Sequence, residues 1–409
     1  MNPVVRSDDV RVQNRRRVLS AIRRVGPSSR TDIAQETGLS AATVSAITAS
    51  FLEENILLSP SDITNGSSGR GRPTISLSIN PEAALICSIN LRVNFLSVEL
   101  VDYSGQTVWE QTLELENHWL SAEQLRMTLL SGIEKTMSDA NIRSAQLQRI
   151  AVGLQGLVNV EGTKILWSPI CQERNMPVKT WLETHFGVAT HIANDCHMIA
   201  QALSRRDPSK YSENFAAILL AQGVGMGLFL RQNVINGTRS SGTEFGHMTF
   251  MPDGALCRCG KRGCIEAYAG DYAIARAANG FESDAEPSQF KDTIDLEDIN
   301  QRARAGDERA LQAIEQAGIA IGTGLAGLFA LVDPFPVVLV GNGAVAFDLM
   351  EPHIRNVLKG AMIARHPENI DIDYIVDERS LVCEGSAITA LMMHDDIIAD
   401  RKSVTKVSA

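Results

Sequence analysis

The chain opens without an apolar run. Met1 to Arg17 is a charged stretch, which argues against a secretory leader and makes the cytoplasm the expected compartment. Membrane-length apolar segments are missing as well, so no membrane insertion is expected. The longest uncharged run of interest, Gln316 to Val332, is slightly short, carries Gly318, Gly322, Gly324 and Gly327, and stops at Asp333-Pro334. It is expected to be a buried helix of an α/β domain. No tandem repeat of short period occurs, which removes the short-repeat architectures. Lysine is absent from residues 1–79, where ten Arg face seven acids for a net charge of +3. The remaining 330 residues hold 28 basic and 41 acidic groups, a net of −13. The chain total of −10 discourages a nucleic-acid partner, but its division points to two parts with different partners. With 44% hydrophobic and 21% charged residues, the 409-residue chain has a globular balance. That excludes a disordered, collagen-like or coiled-coil protein, and its length suits two to three domains at roughly 150 residues each. Seven Cys in a chain with no leader favour metal binding over disulfides.

In the basic end, Val10, Val18, Leu19, Ile22 and Val25 have helical spacing among arginines, and Gly26-Pro27-Ser28 breaks that helix. The segment Arg30 to Ile47 then reads as a helix-turn-helix. Ala34 is the small residue at the crossing, Gly38 the turn, and Val44 and Ile47 the inward residues. Ser40 is expected to cap the second helix, whose inward stripe continues through Phe51 and Leu52. A plain pair of amphipathic helices is the alternative. Against it stand two strand-like runs, Ile56–Leu58 and Ile75–Ile79, which flank a loop as in a winged helix-turn-helix. The loop, residues 65–73, holds Gly69-Arg70-Gly71-Arg72-Pro73, a tip slim enough for a narrow minor groove whose negative potential attracts Arg. A flexible linker that carries two Arg is the other reading. The recognition helix offers only small side chains, Ala41, Ala42, Thr43, Ser45 and Thr48, which reach thymine methyls or make single hydrogen bonds. Much of the affinity for a double-stranded DNA operator is therefore expected from Arg70 and Arg72, with phosphate contacts from Arg15–Arg17 and Arg30.

Beyond Pro81 the pattern becomes α/β. Strand-like runs at Ala84–Leu91, Phe95–Val101, Thr107–Leu115, Ile150–Leu154, Thr190–Ala193, Ala216–Leu220 and Pro336–Gly341 alternate with helical segments at Ser121–Ala140, Cys196–Ser204 and Glu384–His394. The strongest chemical signal is His247-x9-Cys257-x-Cys259-x4-Cys264. One imidazole and three thiolates supply the four ligands of a closed tetrahedral Zn²⁺ site, which is the structural rather than the catalytic stoichiometry. A redox-active cluster and three unrelated buried thiols are the alternatives. Gly223-Val224-Gly225-Met226-Gly227 implies close backbone approach, as a tight hairpin or a phosphate cradle. Asp195 follows a strand and opens a helix, so an N-cap is its simplest role.

Together, Cys-Arg-Cys-Gly-Lys-Arg-Gly-Cys-Ile-Glu-Ala at 257–267, Glu-Phe-Gly-His at 244–247, Asn-Asp at 194–195, the glycine run at 223–227 and Val-Gly-Asn-Gly at 340–343 resemble the ROK family of repressors, open reading frames and kinases. The winged helix-turn-helix with its Arg-Gly-Arg-Pro tip is similar to the repressor branch, whose members regulate glucose, N-acetylglucosamine and xylose genes. The resemblance implies a two-lobed actin-like (ribonuclease H-like) sugar-kinase fold behind the DNA-binding residues 1–79. Its small lobe would take residues 80–194 plus about 383–400, and its large lobe residues 195–382 with the zinc site and oligomerisation surface. It further implies that Asn194, Asp195, Glu244, His247 and Glu266 line a sugar site, and that the chain forms a homodimer or a dimer of dimers. His247 would then give one ring nitrogen to zinc and point the other at the sugar. In the family's kinases the residue at the Asp195 position is the general base, but those kinases also carry an Asp-x-Gly-Gly-Thr phosphate loop. Here that loop reads Asn90-Leu91-Arg92-Val93-Asn94, without its glycines, its Asp or its hydroxyl. The expected function is a sugar-responsive transcriptional regulator without kinase activity; the alternative is a sugar kinase with an appended DNA-binding domain.

Overall fold

The computed structural model of the chain describes residues 7–59, 76–115, 119–290, 295–361 and 370–401. The N-terminal part is built from α1 (Ser7–Val25), β1 (Ser28–Ser29), α2 (Arg30–Thr37), α3 (Ala41–Glu53), β2 (Leu57–Leu58) and β3 (Ser76–Ile79), with strand order β1-β3-β2, all antiparallel. Ser29 and Asp32 form a reciprocal capping box that starts α2, and Gly38, at φ 65°, ends it in the left-handed conformation that suits glycine. Ser40 then accepts the Thr43 N–H at 3.1 Å and starts α3. Val44 and Ile47 are buried, while Ala41, Ala42, Ser45 and Ala46 face outward. The two-residue β1 left no sequence pattern of its own. The loop tip with Arg70 and Arg72 lies outside the described residues.

Two expectations for this part need correction. Thr48 is fully buried; its hydroxyl donates to the Val44 carbonyl at 2.9 Å and accepts from Arg30 Nε at 2.9 Å. A buried, saturated hydroxyl cannot read a base, so Thr48 positions Arg30 instead. Arg15 is 2% exposed and cannot reach a DNA phosphate. Its guanidinium packs on the Phe51 ring at 4.3 Å, pairs with both Glu54 oxygens at 2.8 Å and donates to Ser50 Oγ at 2.8 Å and the Ile398 carbonyl at 3.1 Å. A basic residue in an Arg-rich helix was read as surface charge, but its methylene stem lies on the apolar stripe and its head closes the interior.

The first large sheet contains β4 (Leu85–Leu91), β5 (Phe95–Asp102), β6 (Thr107–Glu114), β7 (Leu147–Leu154) and β10 (Ala189–Asn194) in the order β10-β7-β4-β5-β6. Between these strands run α4 (Ala122–Asp139), the small β8 (Leu157–Val158) and β9 (Ile165–Trp167) ribbon, and α5 (Val178–Phe186). After α6 (Asp195–Arg206) and α7 (Pro208–Tyr211), a second sheet repeats that plan. It holds β11 (Phe215–Leu220), β12 (Val224–Leu230), β13 (Asn233–Val234), β14 (Val337–Val340) and β15 (Ile372–Ile375) in the order β13-β12-β11-β14-β15. In both sheets three antiparallel strands are extended by two parallel ones. Its helices are α8 (Glu266–Ala269), α9 (Asp271–Ala278), α10 (Leu296–Arg304), α11 (Glu308–Val332), α12 (Phe347–Gly360) and α13 (Glu378–Asp400). This duplicated architecture carries no short-period sequence repeat, because only the topology repeats.

α11 is long and apolar enough to cross a membrane, yet Ile314, Ala317, Ala320, Ile321 and Leu325 are buried in the core around the second sheet. The C-terminal α13 packs on α6 and on β4 and β7 of the first sheet. Its residues Ala387, Ala390, Leu391 and Ile398 also join Val18, Leu19 and Ile22 of α1 in one hydrophobic cluster with Ile86 and Val101. The N-terminal helices are thus docked on the α/β body through a shared apolar core.

Candidate functional site

A cleft cavity of about 90 Å³ gathers all five residues expected at the sugar site, Asn194, Asp195, Glu244, His247 and Glu266. Asn194 ends β10 and is the N-cap of α6: its Oδ1 accepts the Cys196 N–H at 2.9 Å and its Nδ2 donates to the Gly156 carbonyl at 2.8 Å. The capping role anticipated for Asp195 therefore falls to its neighbour. Asp195 begins the helix itself, 2% exposed, with Oδ1 accepting the Cys196 N–H at 2.9 Å and Oδ2 lacking a partner among the described residues. Burial holds its carboxyl above the usual range, and the Arg92 charge opposes that rise. An acceptor so placed on the wall of a cavity is suited to a ligand hydroxyl.

The glycine run explains how this helix comes so close. A Cβ at Gly227 would lie 2.1 Å from the Cys196 carbonyl oxygen, and one at Gly225 would lie 2.5 Å from Cys196 Sγ. Their absence lets the first turn of α6 rest on β12 and carries Asp195 into the cleft. Gly223 lines the cleft at the β11–β12 hairpin, where a Cβ would meet Glu266 Oε2 at 2.8 Å. The run therefore serves close strand–helix approach and a tight hairpin at the cleft.

Glu266, the first residue of α8, is 5% exposed and accepts the Val224 N–H at 3.1 Å. Glu244 precedes the short turn Phe245–His247 and faces His247, with Oε2 at 3.8 Å from Nε2. The other ring nitrogen, Nδ1, lies 3.7 Å from Cys257 Sγ. The imidazole thus has one edge toward cysteine sulfur and the other toward a cleft carboxylate. His247, Cys257, Cys259 and Cys264 bring their ligand atoms within 4.8 Å of one another, and Cys259 Sγ is 3.8 Å from Cys264 Sγ. A tetrahedral zinc with Zn–S bonds of about 2.3 Å spaces two sulfurs by about 3.8 Å, so the donor set fits a structural zinc site. The remaining cysteines, Cys87, Cys171, Cys196 and Cys383, are buried apart from it.

On the other side of the cleft the segment that would be a phosphate loop is the tight turn from β4 to β5, closed by the Arg92 N–H donating to the Phe95 carbonyl at 3.0 Å. Arg92 is 5% exposed, lines the cleft and pairs with Glu378 of α13 at 3.3 Å. Arg92 and Arg258 in the cleft wall also act on a group the sequence did not single out, Asp271 of α9. Burial pushes the Asp271 carboxyl up to about 7, with Arg92 opposing the rise, Glu378 adding to it and Arg258 opposing again. Only a lone carboxylate after a glycine marked it in the sequence. The folded chain keeps this proton up to about pH 7 whereas an unfolded chain releases it near pH 4, so this residue's contribution to stability falls as pH rises between those values. Asp271→Asn is expected to gain about 2 kcal/mol on the parent protein between pH 5.5 and pH 8 in denaturant titrations. A difference that does not change with pH would refute this assignment.

Two five-stranded sheets of like topology, with a polar cleft beside them and a helix-turn-helix docked on one side, define a duplicated α/β protein joined to a helix-turn-helix module. The chain belongs to the ROK family, whose model matches residues 88–393. The xylose repressor of Bacillus spizizenii is 26% identical over 330 residues, covering 81% of this chain and 82% of that one. The transcriptional dual regulator NagC of Escherichia coli is 25% identical over 389 residues and 95% of each chain. A solved ROK family transcriptional regulator, a homologue of the E. coli MLC protein, superposes with a TM-score of 0.78 at 24% identity, over 96% of this chain and 99% of its own. A ROK glucokinase from Streptomyces griseus, solved with glucose and AMPPNP, shares the fold at TM-score 0.61 and 22% identity over 75% of this chain and 99% of its own.

Proposed function

We propose that this protein is a cytoplasmic sugar-responsive transcriptional repressor that binds duplex DNA through α2, α3 and the 65–73 loop. A sugar or sugar derivative binds in the cleft at Asp195, Glu244, His247 and Glu266, with Asn194 holding the α6 terminus in place. Zinc is held by His247, Cys257, Cys259 and Cys264, where its chemistry is structural: it ties two loops together. The observation that carries this reading is the asymmetry of the cleft. Its sugar side presents acceptor groups, including the unpartnered Asp195 Oδ2, while its phosphate side is filled by the Arg92–Glu378 pair. A polar site built to pair hydroxyls rejects analogues that leave its groups unpaired. Relatives named as xylose and N-acetylglucosamine repressors support the same reading. The division at about residue 80 and assembly as a two-fold dimer, matching palindromic half-sites, belong to this proposal.

An inducer has to bind the DNA-free state better than the DNA-bound one, since only differential affinity moves the equilibrium. A thermal-shift screen of sugars and sugar phosphates is expected to yield a hit that raises the melting temperature and releases the protein from operator DNA. In the same assay Asp195→Asn loses the shift, and Arg70→Ala with Arg72→Ala lowers the slope of log affinity against log salt by about 2. The retained Asp195 favours one other reading, a sugar kinase with an appended DNA-binding domain. Turnover of ATP and a hexose that disappears in Asp195→Ala would establish the kinase and overturn the repressor reading; no turnover with sugar-dependent operator release establishes the repressor.

A further inference from the structure

A second cavity, of about 370 Å³, lies where α1 and α2 meet α6 and α13, on the opposite side of the α6 helix from the sugar cleft's end of it. This volume exceeds the 90 Å³ of the sugar cleft and falls in the range of small-molecule sites. Its wall holds five guanidiniums, from Arg16, Arg17, Arg23, Arg24 and Arg205, against three carboxylates, from Glu36, Asp395 and Asp396. Three of the arginines have a carboxylate each: Arg16 with Asp396 at 2.8 Å, Arg23 with Asp395 at 2.9 Å, and Arg24 with Glu36. Arg17 and Arg205 have none among the described residues. Arg17 donates to the Thr37 carbonyl at the end of α2, and Arg205 Nη2 meets only the Met392 thioether at 3.6 Å.

Two guanidiniums without a paired carboxylate among the described residues, gathered from different elements around one cavity, leave its wall with a net positive charge, five guanidiniums against three carboxylates. Burial and then the neighbouring Arg23 and Arg24 act against the charge on Arg205, and Asp395 offsets them only in part, a condition an incoming anion would relieve. The planar fork of arginine matches phosphate oxygens in pairs, and two forks from separate elements suit a ligand with more than one such oxygen pair. We propose that this cavity binds a small phosphate-bearing metabolite of two or more negative charges, held by Arg17 of α1 and Arg205 of α6. Such a ligand would bridge the DNA-binding helices and the α/β body. It would also touch the last turn of the helix whose first residue is Asp195, about 15 Å away along the axis at 1.5 Å per residue. The sugar cleft and the anion cavity would then be coupled reciprocally through one rigid element.

Titration of the full chain with inorganic pyrophosphate, by calorimetry at fixed ionic strength, tests this. Saturable binding is expected, weakened at least about 10-fold in Arg205→Gln and in Arg17→Gln and unchanged in Arg92→Gln. Arg17 is exposed, so its variant folds even where Arg205→Gln does not. No saturable binding to the parent protein, equal binding in Arg17→Gln, or loss in Arg92→Gln, which would place the anion in the sugar cleft, each overturns the proposal. The same chemistry could come from the DNA backbone. Arg17→Gln lowering the salt slope of duplex binding by about 1 without changing pyrophosphate affinity would assign the guanidinium to DNA and overturn the metabolite site.

Discussion

Cys257→Ala is expected to leave the purified chain with well under one zinc per molecule and to weaken sugar binding by at least about 10-fold. The reason lies in how the four ligands are distributed. His247 comes three residues after Glu244, and Cys264 comes two residues before Glu266, so a metal held by these ligands would tie together two segments that each bring a carboxylate to the cleft. Neither segment has much regular structure of its own: one is a single turn, Phe245–His247, and the other enters the four-residue α8. Losing the metal frees both carboxylates, and each charged hydrogen bond to the sugar is worth about 1.5–3 kcal/mol. Ligand replacement in a structural zinc site also removes folding free energy directly. Cys257 is 1% exposed, and alanine leaves a small cavity there without adding a polar group. The measurements are metal content by mass spectrometry and sugar affinity by calorimetry on the folded variant. A zinc-free, folded protein with intact sugar affinity would show that metal and cleft are independent. A parent protein never exposed to chelator and lacking stoichiometric zinc would refute the zinc assignment itself.

Arg23→Ala is expected to destabilise the contact between the N-terminal helices and the body by about 3–5 kcal/mol. Arg23 Nε and Nη2 pair with the two Asp395 oxygens at 3.0 and 2.9 Å, and Nη1 donates to the Tyr103 carbonyl at 2.8 Å. The guanidinium also stacks over the Tyr103 ring at 4.7 Å, and the Tyr103 hydroxyl donates to Asp395 Oδ1. Both partners of the pair are nearly buried, with side-chain exposures of 14% and 12%. Removing the arginine takes away both of the donors that pair with the nearly buried Asp395 carboxylate and leaves it the Tyr103 hydroxyl, and that poorly compensated charge dominates the loss. The double variant Arg23→Met with Asp395→Leu should recover much of the stability, because neither charge is then left alone. Thermal unfolding of Arg23→Met, Asp395→Leu and the double variant checks the cycle. A single variant no less stable than the double one would show that the pair contributes little.

Much of the candidate site was legible in the sequence because its chemistry depends on residue type at short range. His247, Cys257, Cys259 and Cys264 fall within eighteen residues, and a metal site of that span is written locally. The cleft acids follow only from the ROK resemblance, whose motifs adjoin those ligands or, at Asn194 and Asp195, end a strand; nothing in their own spacing marks a sugar site. Arg92 was noticed only as a misfit in a loop, and its partner Glu378 stayed hidden because 286 residues separate them. Asp271 has no local signature beyond the glycine that precedes it. Thr48 on the recognition helix and Arg15 in the Arg-rich first helix read as DNA contacts, since a polar side chain on a helix announces its chemistry and not its direction.

The sequence by itself determined the +3 and −13 division, the Ser40 cap and Gly38 turn of the helix-turn-helix, and the close spacing of the donors His247, Cys257, Cys259 and Cys264. Each of these rests on contacts or spacings of a few residues, where backbone geometry leaves little freedom. Tertiary structure decided the rest. It brought α13 back across the first sheet to meet α1, and so turned Arg15 and Arg23 from surface charge into the joint between the N-terminal helices and the body. It also laid α6 against β12 closely enough for Asp195 to enter the cleft at one end while Arg205 reaches a separate basic cavity at the other. These arrangements depend on which apolar faces bury one another across hundreds of residues, and that is settled only when the whole core packs.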